Sequence, residues 1–462
     1  MKHLYRTIVS ALILVAAGSC GLYTEYQRPA TEFADSLYRR FPATGDTTSI
    51  AVMSWRELFT DPILQDWIEL GLKNNTDLGT AKFKVIEAEA SLKEARLALL
   101  PGVSFSADGG MRTAGADVKG YFEMAPAVSW EADIFGRLSN SKKATLAALQ
   151  QSIAYRQAVE TRLIATIADT YYTLLMLDEQ LNISRRTLNT WEENIRTMEA
   201  LKRAGKTNEA AVLQAKSNRL SVEASVLTLE KQIFETENSF SALIGIVPMY
   251  IRRGSLPEQT FPEEISEGLP AQLLSQRPDV KEAEMALAQA FYVTNMARSA
   301  FYPSLTLSGM LGWTTTSGVK IDPTSIISNL AGSLLQPIFS KGTNKARLKK
   351  AQAQQEAALY RFRQSLLDAG VEVNNALMTW QTARKRLEID KKQILNLRAA
   401  VWNTRLLMKH SSTNYLEVLT AQQNLLQAEL TEITDRFNEI QAVIYLYHAL
   451  GGGYQENYLE NN

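Results

Sequence analysis

The chain repeats itself once along its length, and this repeat limits the fold more than any other feature. A stretch that opens at Asp77 returns at Asp279, 202 residues later, and each stretch runs to a proline. Further along, Asn208 corresponds to Asn414 at an offset of 206 residues. Each half therefore predicts the same series of elements: a helix, two strands, a very long helix, a turn and a long returning helix.

The longest predicted elements are helices. From Ser141 to Arg203 the chain contains no proline and no glycine, and good helix formers dominate. Such a helix extends about 95 Å at about 1.5 Å per residue. Gly205 predicts a turn, and the returning helix is predicted from Asn208 to Leu243. The second half predicts helices from Asn344 to Lys409 and from Asn414 to Ala449. Taken alone, these helices are also consistent with a coiled-coil rod or scaffold.

Each half also contains a pair of apolar or alternating stretches that predict strands. They run from Val103 to Thr113, Phe122 to Ile134, Leu305 to Thr316 and Ile326 to Ile338. Strict alternation with aromatic residues near the ends suits a strand that shows one face to lipid and the other to water. A hairpin packed on a soluble core alternates in the same way, whereas a coiled-coil scaffold has no use for such strands.

The N-terminus has the form of a secretory signal, because Lys2 and Arg6 precede an apolar run that is too short to span a bilayer. The predicted signal covers residues 1–19. It ends before Cys20, the one cysteine of the chain, in the run Ala17-Gly18-Ser19-Cys20. This run resembles the lipobox of bacterial lipoproteins, which implies lipid attachment (palmitate) at Cys20. An ordinary cleaved signal with an incidental cysteine is the alternative.

The predicted strands lead to an oligomer. No later stretch has the ~18 apolar residues that a spanning helix requires, so strands would carry any passage across a membrane. Four strands cannot close a barrel, which needs about eight. An open strand edge in lipid would leave peptide groups unpaired at several kcal/mol each. The sequence therefore predicts an oligomer in which several copies contribute strands to one barrel. A dimer and a trimer both meet this requirement.

Several motifs occur in a fixed order over nearly the whole mature chain. They are Cys20 to Pro29, Arg277-Pro278-Asp279-Val280, Ala300 to Leu305, Gln336 to Gly342 and Val418 to Gln422. Together they resemble the motifs of the outer-membrane efflux protein family, in its lipid-anchored TolC, OprM and NodT group.

The resemblance implies a mainly α fold with a small β part. Long antiparallel helical hairpins would form an α-barrel, and two β-hairpins per subunit would contribute to a trimeric transmembrane β-barrel. The implied function is a passive exit duct in the outer membrane of a Gram-negative bacterium, extending into the periplasm. Its implied partners are a periplasmic adaptor (membrane fusion protein) and an inner-membrane pump of the RND type. No cofactor and no enzymatic activity are implied.

Two candidate sites follow from the resemblance. Glu417 and Thr420 align with the carboxylates that ring the closed periplasmic gate of relatives, although threonine at the second position departs from a double acidic ring. A solvated helix face is the alternative for Glu417. Arg277-Pro278-Asp279 has a local explanation, because proline and an acid suit the first turn of a helix. A salt bridge of Arg277 is the alternative there.

Composition excludes several other functions. The chain balances 49 basic against 49 acidic residues without a basic patch, which argues against nucleic acid as a partner. Its 3 histidines show no metal-ligand spacing, and no phosphate loop or nucleophile elbow is present. A periplasmic coiled-coil adaptor or scaffold protein is the alternative function, and an enzyme is a distant third.

The repeat predicts six divisions of the chain. They are the signal at 1–19, a lipid-anchored extension with belt segment at 20–60, the first repeat at 61–245, an equatorial linker at 246–274, the second repeat at 275–450 and a tail at 451–462.

Overall fold

The computed structural model describes residues 23–30, 53–114, 117–261, 277–315, 326–409 and 415–452. The predicted signal, Cys20 and the turn between the last two helices lie outside the described residues. The division into repeats stays a prediction.

The described residues are mostly helical, and the two halves carry helices of equal length. The long helices α4 and α7 have 67 residues each, and the returning helices α5 and α8 have 35 each. The helices are α1 Trp55–Leu58, α2 Pro62–Asn74, α3 Thr76–Leu97, α4 Arg137–Arg203, α5 Glu209–Leu243, α6 Pro278–Ser299, α7 Thr343–Lys409 and α8 Tyr415–Ala449, with a 3₁₀ turn at Leu256–Glu258. The predicted long helices are confirmed.

The predicted start of α4 is four residues late, since the helix begins at Arg137. The carboxylate of Asp133 causes the early start, because it accepts hydrogen bonds from the backbone N–H groups of Leu138 at 2.8 Å and Ser139 at 2.6 Å. These N–H groups have no partner within a helix, so a carboxylate placed here stabilises its first turn.

The strands are β1 Gly102–Ala114, β2 Asp117–Ala132, β3 Ser304–Thr315 and β4 Ile326–Leu335, and they form one antiparallel sheet in the order β1-β2-β3-β4. β2 begins five residues before the predicted Phe122. The predicted strand ends at Ile134 and Ile338 are wrong. The backbone turns after Ala132, where the N–H of Ile134 bonds back to the Ala132 carbonyl at 2.9 Å. After Leu335, Pro337 has no N–H to give to a ladder.

The chain divides into two compact units, and each unit takes residues from both halves of the repeat. The first unit includes Lys82–Tyr155 and Asp279–Ser365, and it contains the whole sheet. The second includes Arg156–Pro278 and Leu366–Asn462. The long helices α4 and α7 therefore pass from one unit into the other along the chain.

The core of the second unit is built where α2 lies against the middle of α4. Leu64 and Ile68 of α2 are fully buried, as is Ile167 of α4. A Cβ atom added at Gly71 would lie 2.4 Å from Cδ1 of Ile167, so a larger residue there would force the Ile167 side chain to move. Asp61 begins α2 by accepting from the Ile63 N–H at 2.9 Å, and Pro62 occupies the first helical position.

The Arg277-Pro278-Asp279 motif has both of the roles predicted for it, since it starts a helix and forms a salt bridge. Pro278 opens α6 and Asp279 is acidic in its first turn, as predicted. The Arg277 side chain is also buried, donating from Nη1 to the Ala449 carbonyl at 2.8 Å and from Nη2 to Glu372 Oε2 at 2.8 Å. A cation at the last carbonyl of α8 stabilises the C-terminal end of that helix.

Within the described part of the chain, every helix is too short or too polar to serve as a membrane span.

Candidate membrane-facing sheet and channel entrance

One face of the sheet is apolar on all four strands. Register places Val103 opposite Val128, Val128 opposite Gly309 and Gly309 opposite Leu330, so these residues form one row across the sheet. Residues directly opposite each other on neighbouring strands point to the same face. The exposed large members of this face are Val103, Phe105, Met111, Val128, Leu307, Leu311, Trp313, Ile326, Leu330 and Leu334. Val103 is 76% exposed and Leu330 is 89% exposed, so no described residue of the first unit covers the ends of the row.

The opposite face of the sheet is polar. Glu131 pairs with Thr306, and Thr306 pairs with Ser333. Nearer the other end of the strands, Asp108 pairs with Glu123 in the same orientation. The predicted alternation of single strands therefore adds up to a sheet with one hydrocarbon-like face and one hydrated face.

The base of the sheet is tied to the turns that precede it. The indole N–H of Trp130 donates to the Leu99 carbonyl at 3.0 Å, and the Gln336 amide donates to the Phe301 carbonyl at 3.1 Å. The rings of Phe135 and Tyr302 stack with their centroids 5.0 Å apart. These contacts fix the strands to the ends of α3 and α6, at matching places of the two halves.

The described N-terminal segment, residues 23–30, lies against α6. Arg28 binds Glu284 in a bidentate pair, with Nε at 2.7 Å from Oε1 and Nη2 on Oε2. The hydrogen bond to Glu284 raises the pKa of Arg28, so the pair stays charged. Tyr26 meets Phe291 edge to face at 5.9 Å, and burial raises its pKa to about 12. The segment that follows Cys20 in sequence is therefore attached to the first unit.

The first hairpin turns at Gly205, which has a φ of +67°. The N–H of Lys206 closes the end of α4 by bonding to the Leu201 carbonyl at 2.9 Å. The side chain of Asn208 then starts α5 by accepting from the Ala211 N–H at 3.1 Å. Glycine at this position is the ordinary helix terminator, as predicted.

Glu417 and Thr420 lie near the start of α8, three residues apart on its exposed face. Val418 and Leu419 between them are buried. The Thr420 hydroxyl donates to the Leu416 carbonyl at 2.8 Å, so it is partly occupied by its own helix. The structure brings these two side chains to one surface, and their role as a gate stays a prediction.

The family described as outer membrane efflux protein matches residues 67–246 and 269–452. The chain belongs to the outer membrane efflux protein family. Membership confirms the predicted function of an outer-membrane efflux channel, and it decides against the adaptor or scaffold alternative. The predicted location in the outer membrane of a Gram-negative bacterium is also confirmed.

The similarity to known relatives extends over almost the whole chain. The probable outer membrane lipoprotein SilC of Salmonella typhimurium is 29% identical over 457 residues, covering 96% of this chain and 98% of SilC. The cation efflux system protein CusC of Escherichia coli is 28% identical over 460 residues, with the same two coverages of 96% and 98%. The open state of the Neisseria gonorrhoeae outer membrane channel MtrE superposes with a TM-score of 0.85 and 28% identity, covering 94% of this chain and 98% of MtrE.

α5 carries an apolar stripe that was not predicted. Leu213, Leu220, Leu227 and Phe234 recur every seven residues and are 57% to 64% exposed. We call these four residues the α5 stripe. A seven-residue apolar repeat is the signal of a helix that packs along another helix, and it was visible in the sequence. The pattern did not indicate whether the partner helix lies in the same chain or in another copy.

Proposed function

We propose that the channel is a homotrimeric exit duct that crosses the outer membrane through a shared β-barrel and continues into the periplasm as an α-barrel. The observation that supports it most directly is the apolar face that crosses all four strands of a sheet with two open edges. The exported substrate passes through the hydrated interior, and the channel itself supplies no catalytic step.

The two sheet edges support the assembly of several copies. Among the described residues, β1 and β4 each have one neighbouring strand. Because the strands alternate in direction from β1 to β4, β4 of one copy and β1 of the next meet antiparallel and continue the same ladder. In lipid, each peptide group left unpaired at such an edge costs several kcal/mol. A trimer gives about twelve strands, within the range of known outer-membrane barrels.

The α5 stripe supports the same assembly in the helical part. Its four apolar side chains are exposed in the single chain. Exposed apolar residues at heptad spacing are covered when two long helices pack side by side. A second copy of the channel is the occupant that we propose, because the open strand edges already require copies to stand next to each other.

The proposed lipid anchor is Cys20, which would hold the N-terminus at the inner leaflet of the outer membrane. Arg28 lies eight residues further on, and an extended chain of that length reaches at most about 28 Å. The pair between Arg28 and Glu284 therefore keeps the first unit close to the anchor. The name of SilC, an outer membrane lipoprotein, supports this anchor in a relative.

The proposed partners are a periplasmic adaptor and an inner-membrane pump of the RND type. CusC is described as part of a cation efflux system, which supports a multi-component exporter for this channel as well. Glu417 and Thr420 are the proposed gate at the periplasmic entrance. Copies of Glu417 around a three-fold axis would form an acidic constriction that attracts cations.

A pair of arginine substitutions tests the membrane-facing sheet. Leu330→Arg places a charge on the apolar face, whereas Asn329→Arg places the same charge one residue away on the polar face. A charge on the lipid face of a barrel strand costs about 2 to 4 kcal/mol near the bilayer centre. We expect Leu330→Arg to lose the heat-modifiable, SDS-resistant oligomer from outer-membrane fractions, and Asn329→Arg to retain it. Equal behaviour of the two variants would contradict the proposal.

A further inference from the structure

Two buried carboxyl groups meet between α7 and α8. Asp390 of α7 is 6% exposed and Asp435 of α8 is 3% exposed. The two carboxyls lie within hydrogen-bonding reach of each other. Two carboxylates cannot both stay ionised in such contact without a large electrostatic cost. A proton or a neighbouring cation must therefore offset the repulsion.

The described hydrogen-bond donors near the two carboxyls bind Asp435 and leave Asp390 Oδ2 without one. Asp435 accepts from Arg386 Nε at 2.7 Å on Oδ2 and from Asn438 Nδ2 at 3.4 Å on Oδ1. The Asp390 Oδ2 atom is buried, and no donor of the described residues reaches it. Asp435 thus has the surroundings of a carboxylate, and Asp390 has those of a neutral carboxylic acid.

The other described groups near the pair are an acid and an uncharged amide. Besides Asp435 and Arg386, the charge that acts on Asp390 is that of Glu432, which is negative. From α4, Gln180 donates to Thr434 at 3.2 Å, next to Asp435, and brings no charge. Burial is the largest cause that raises the pKa of Asp390, followed by the hydrogen bond to Asp435.

The first half of the repeat has no such pair at the matching place. At the offset of 206 residues, Asp390 corresponds to Ser184 and Asp435 to Leu229. Ser184 is buried, and its hydroxyl is satisfied by the Gln180 carbonyl at 2.8 Å. The repeat therefore folds at this place without acids, and the two carboxylates are an added property of the second hairpin.

We propose that Asp390 and Asp435 hold one proton between them, and that this shared proton makes the contact between α7 and α8 dependent on pH. The proton sits on Asp390, which donates to the carboxylate of Asp435. When it leaves, two negative charges face each other beside Arg386, and the helices are pushed apart at this level. A metal ion is the less favoured occupant, because no group of three or more metal-ligating side chains occurs among the described residues.

The sign of the effect follows from linkage. An unfolded aspartate loses its proton near pH ~3.9. The folded protein holds the proton of Asp390 to a higher pH, so the stabilisation is present at low pH and is lost as the pH rises through the folded-state pKa. The midpoint of thermal unfolding, Tm, should therefore fall as the pH rises.

The test measures Tm of the full-length, detergent-purified oligomer between about pH 4, near the pKa of an unfolded aspartate, and about pH 8. Asp390→Asn copies the neutral acid and cannot ionise. We expect it to remove most of the fall in Tm of the unsubstituted protein and to be the more stable of the two at the upper end. Glu388→Gln, which removes an exposed carboxylate two residues away, should follow the unsubstituted profile.

An infrared spectrum supplies an independent readout. The carbonyl band of a protonated carboxylic acid should be stronger in the unsubstituted protein than in Asp390→Asn at the acidic end of this range and should fade as the pH rises, even if that variant is less stable. The proposal is overturned if Asp390→Asn keeps both the band and the unsubstituted pH profile. It is equally overturned if Mg²⁺ or Ca²⁺ raises Tm of the unsubstituted protein and not of Asp390→Asn, because the pair is then a cation site.

Discussion

The two long hairpins of the channel carry the same apolar repeat and use it in opposite ways. In α5 the stripe of Leu213, Leu220, Leu227 and Phe234 is exposed. At the offset of 206 residues, α8 has Leu419, Leu426, Ile433 and Ile440, and all four are buried. The helices have equal lengths and equal patterns, so the difference arises from which face each helix turns to the rest of the chain.

The two helices also end in different surroundings. After α5, Arg253 lies 5% exposed between Asp178 and Glu237, with Nε at 2.5 Å from Asp178 Oδ2 and Nη1 at 2.5 Å from Glu237 Oε1. At the end of α8 the arginine is Arg277, which directly precedes α6 in the chain and binds the Ala449 carbonyl and the half-exposed Glu372. Both returning helices thus contact a buried arginine, but the two arginines hold different partners and come from unrelated positions of the repeat.

The largest expected effect separates these two arginines. Arg253→Met leaves Asp178 and Glu237 without their cation and should cost about 3 to 5 kcal/mol. Arg277→Met leaves a buried carbonyl unsatisfied and one partly hydrated carboxylate, and should cost about 1 to 3 kcal/mol. Tm of the purified oligomer measures both. A larger fall in Tm for Arg277→Met than for Arg253→Met would contradict this order, because the contacts of Arg277 at the end of α8 would then contribute more stability than those of Arg253.

The second prediction tests the opposite use of the apolar repeat. Leu426→Ala removes a buried side chain and should cost about 2 to 5 kcal/mol of stability. Leu220→Ala, its partner in the repeat, should leave the fold of the single chain intact and weaken the oligomer. Tm and the fraction of SDS-resistant oligomer distinguish the two outcomes. If both substitutions lower Tm alike with the oligomer unchanged, the α5 stripe is not a contact between copies.

The smallest expected effect concerns the starts of the two returning helices. Glu417 of α8 is exposed, whereas its partner in the repeat, Ala211 of α5, is fully buried. Glu417→Ala should therefore leave stability unchanged and weaken block of the pore by divalent cations, by on the order of tenfold. Single-channel recording in planar bilayers measures this, with Glu223→Ala on α5 as the control. Unchanged block in Glu417→Ala would remove Glu417 from the gate.

Much of the fold was predictable because it depends on local periodicity. Helix-forming composition without proline gave the long helices to within a few residues, although α7 contains Gly370. Alternation gave the four strands, and the breaks at Asp133 and Pro337 ended two of them earlier than predicted. The pairing of β2 with β3 joins the two halves and has no signal in either half alone.

The sites were less predictable. The motif at Arg277 indicated a helix start, but the buried contact to Ala449 needs residues 172 positions apart. The shared contact of Asp390 and Asp435 looked like ordinary surface charge on long helices. Only packing reveals such groups, because burial and donor supply are properties of the neighbourhood and not of the sequence pattern.

The sequence by itself determined the repeat, the lengths of the helices and the two unlike faces of the strands, since each of these is a spacing between residues close together in the chain. The tertiary structure decided which of two identical apolar stripes is covered and which is left for another copy, and which acids are taken out of water. The reason is that a helix can bury only the face that meets a neighbour, and neighbours are chosen by contacts between distant parts of the chain.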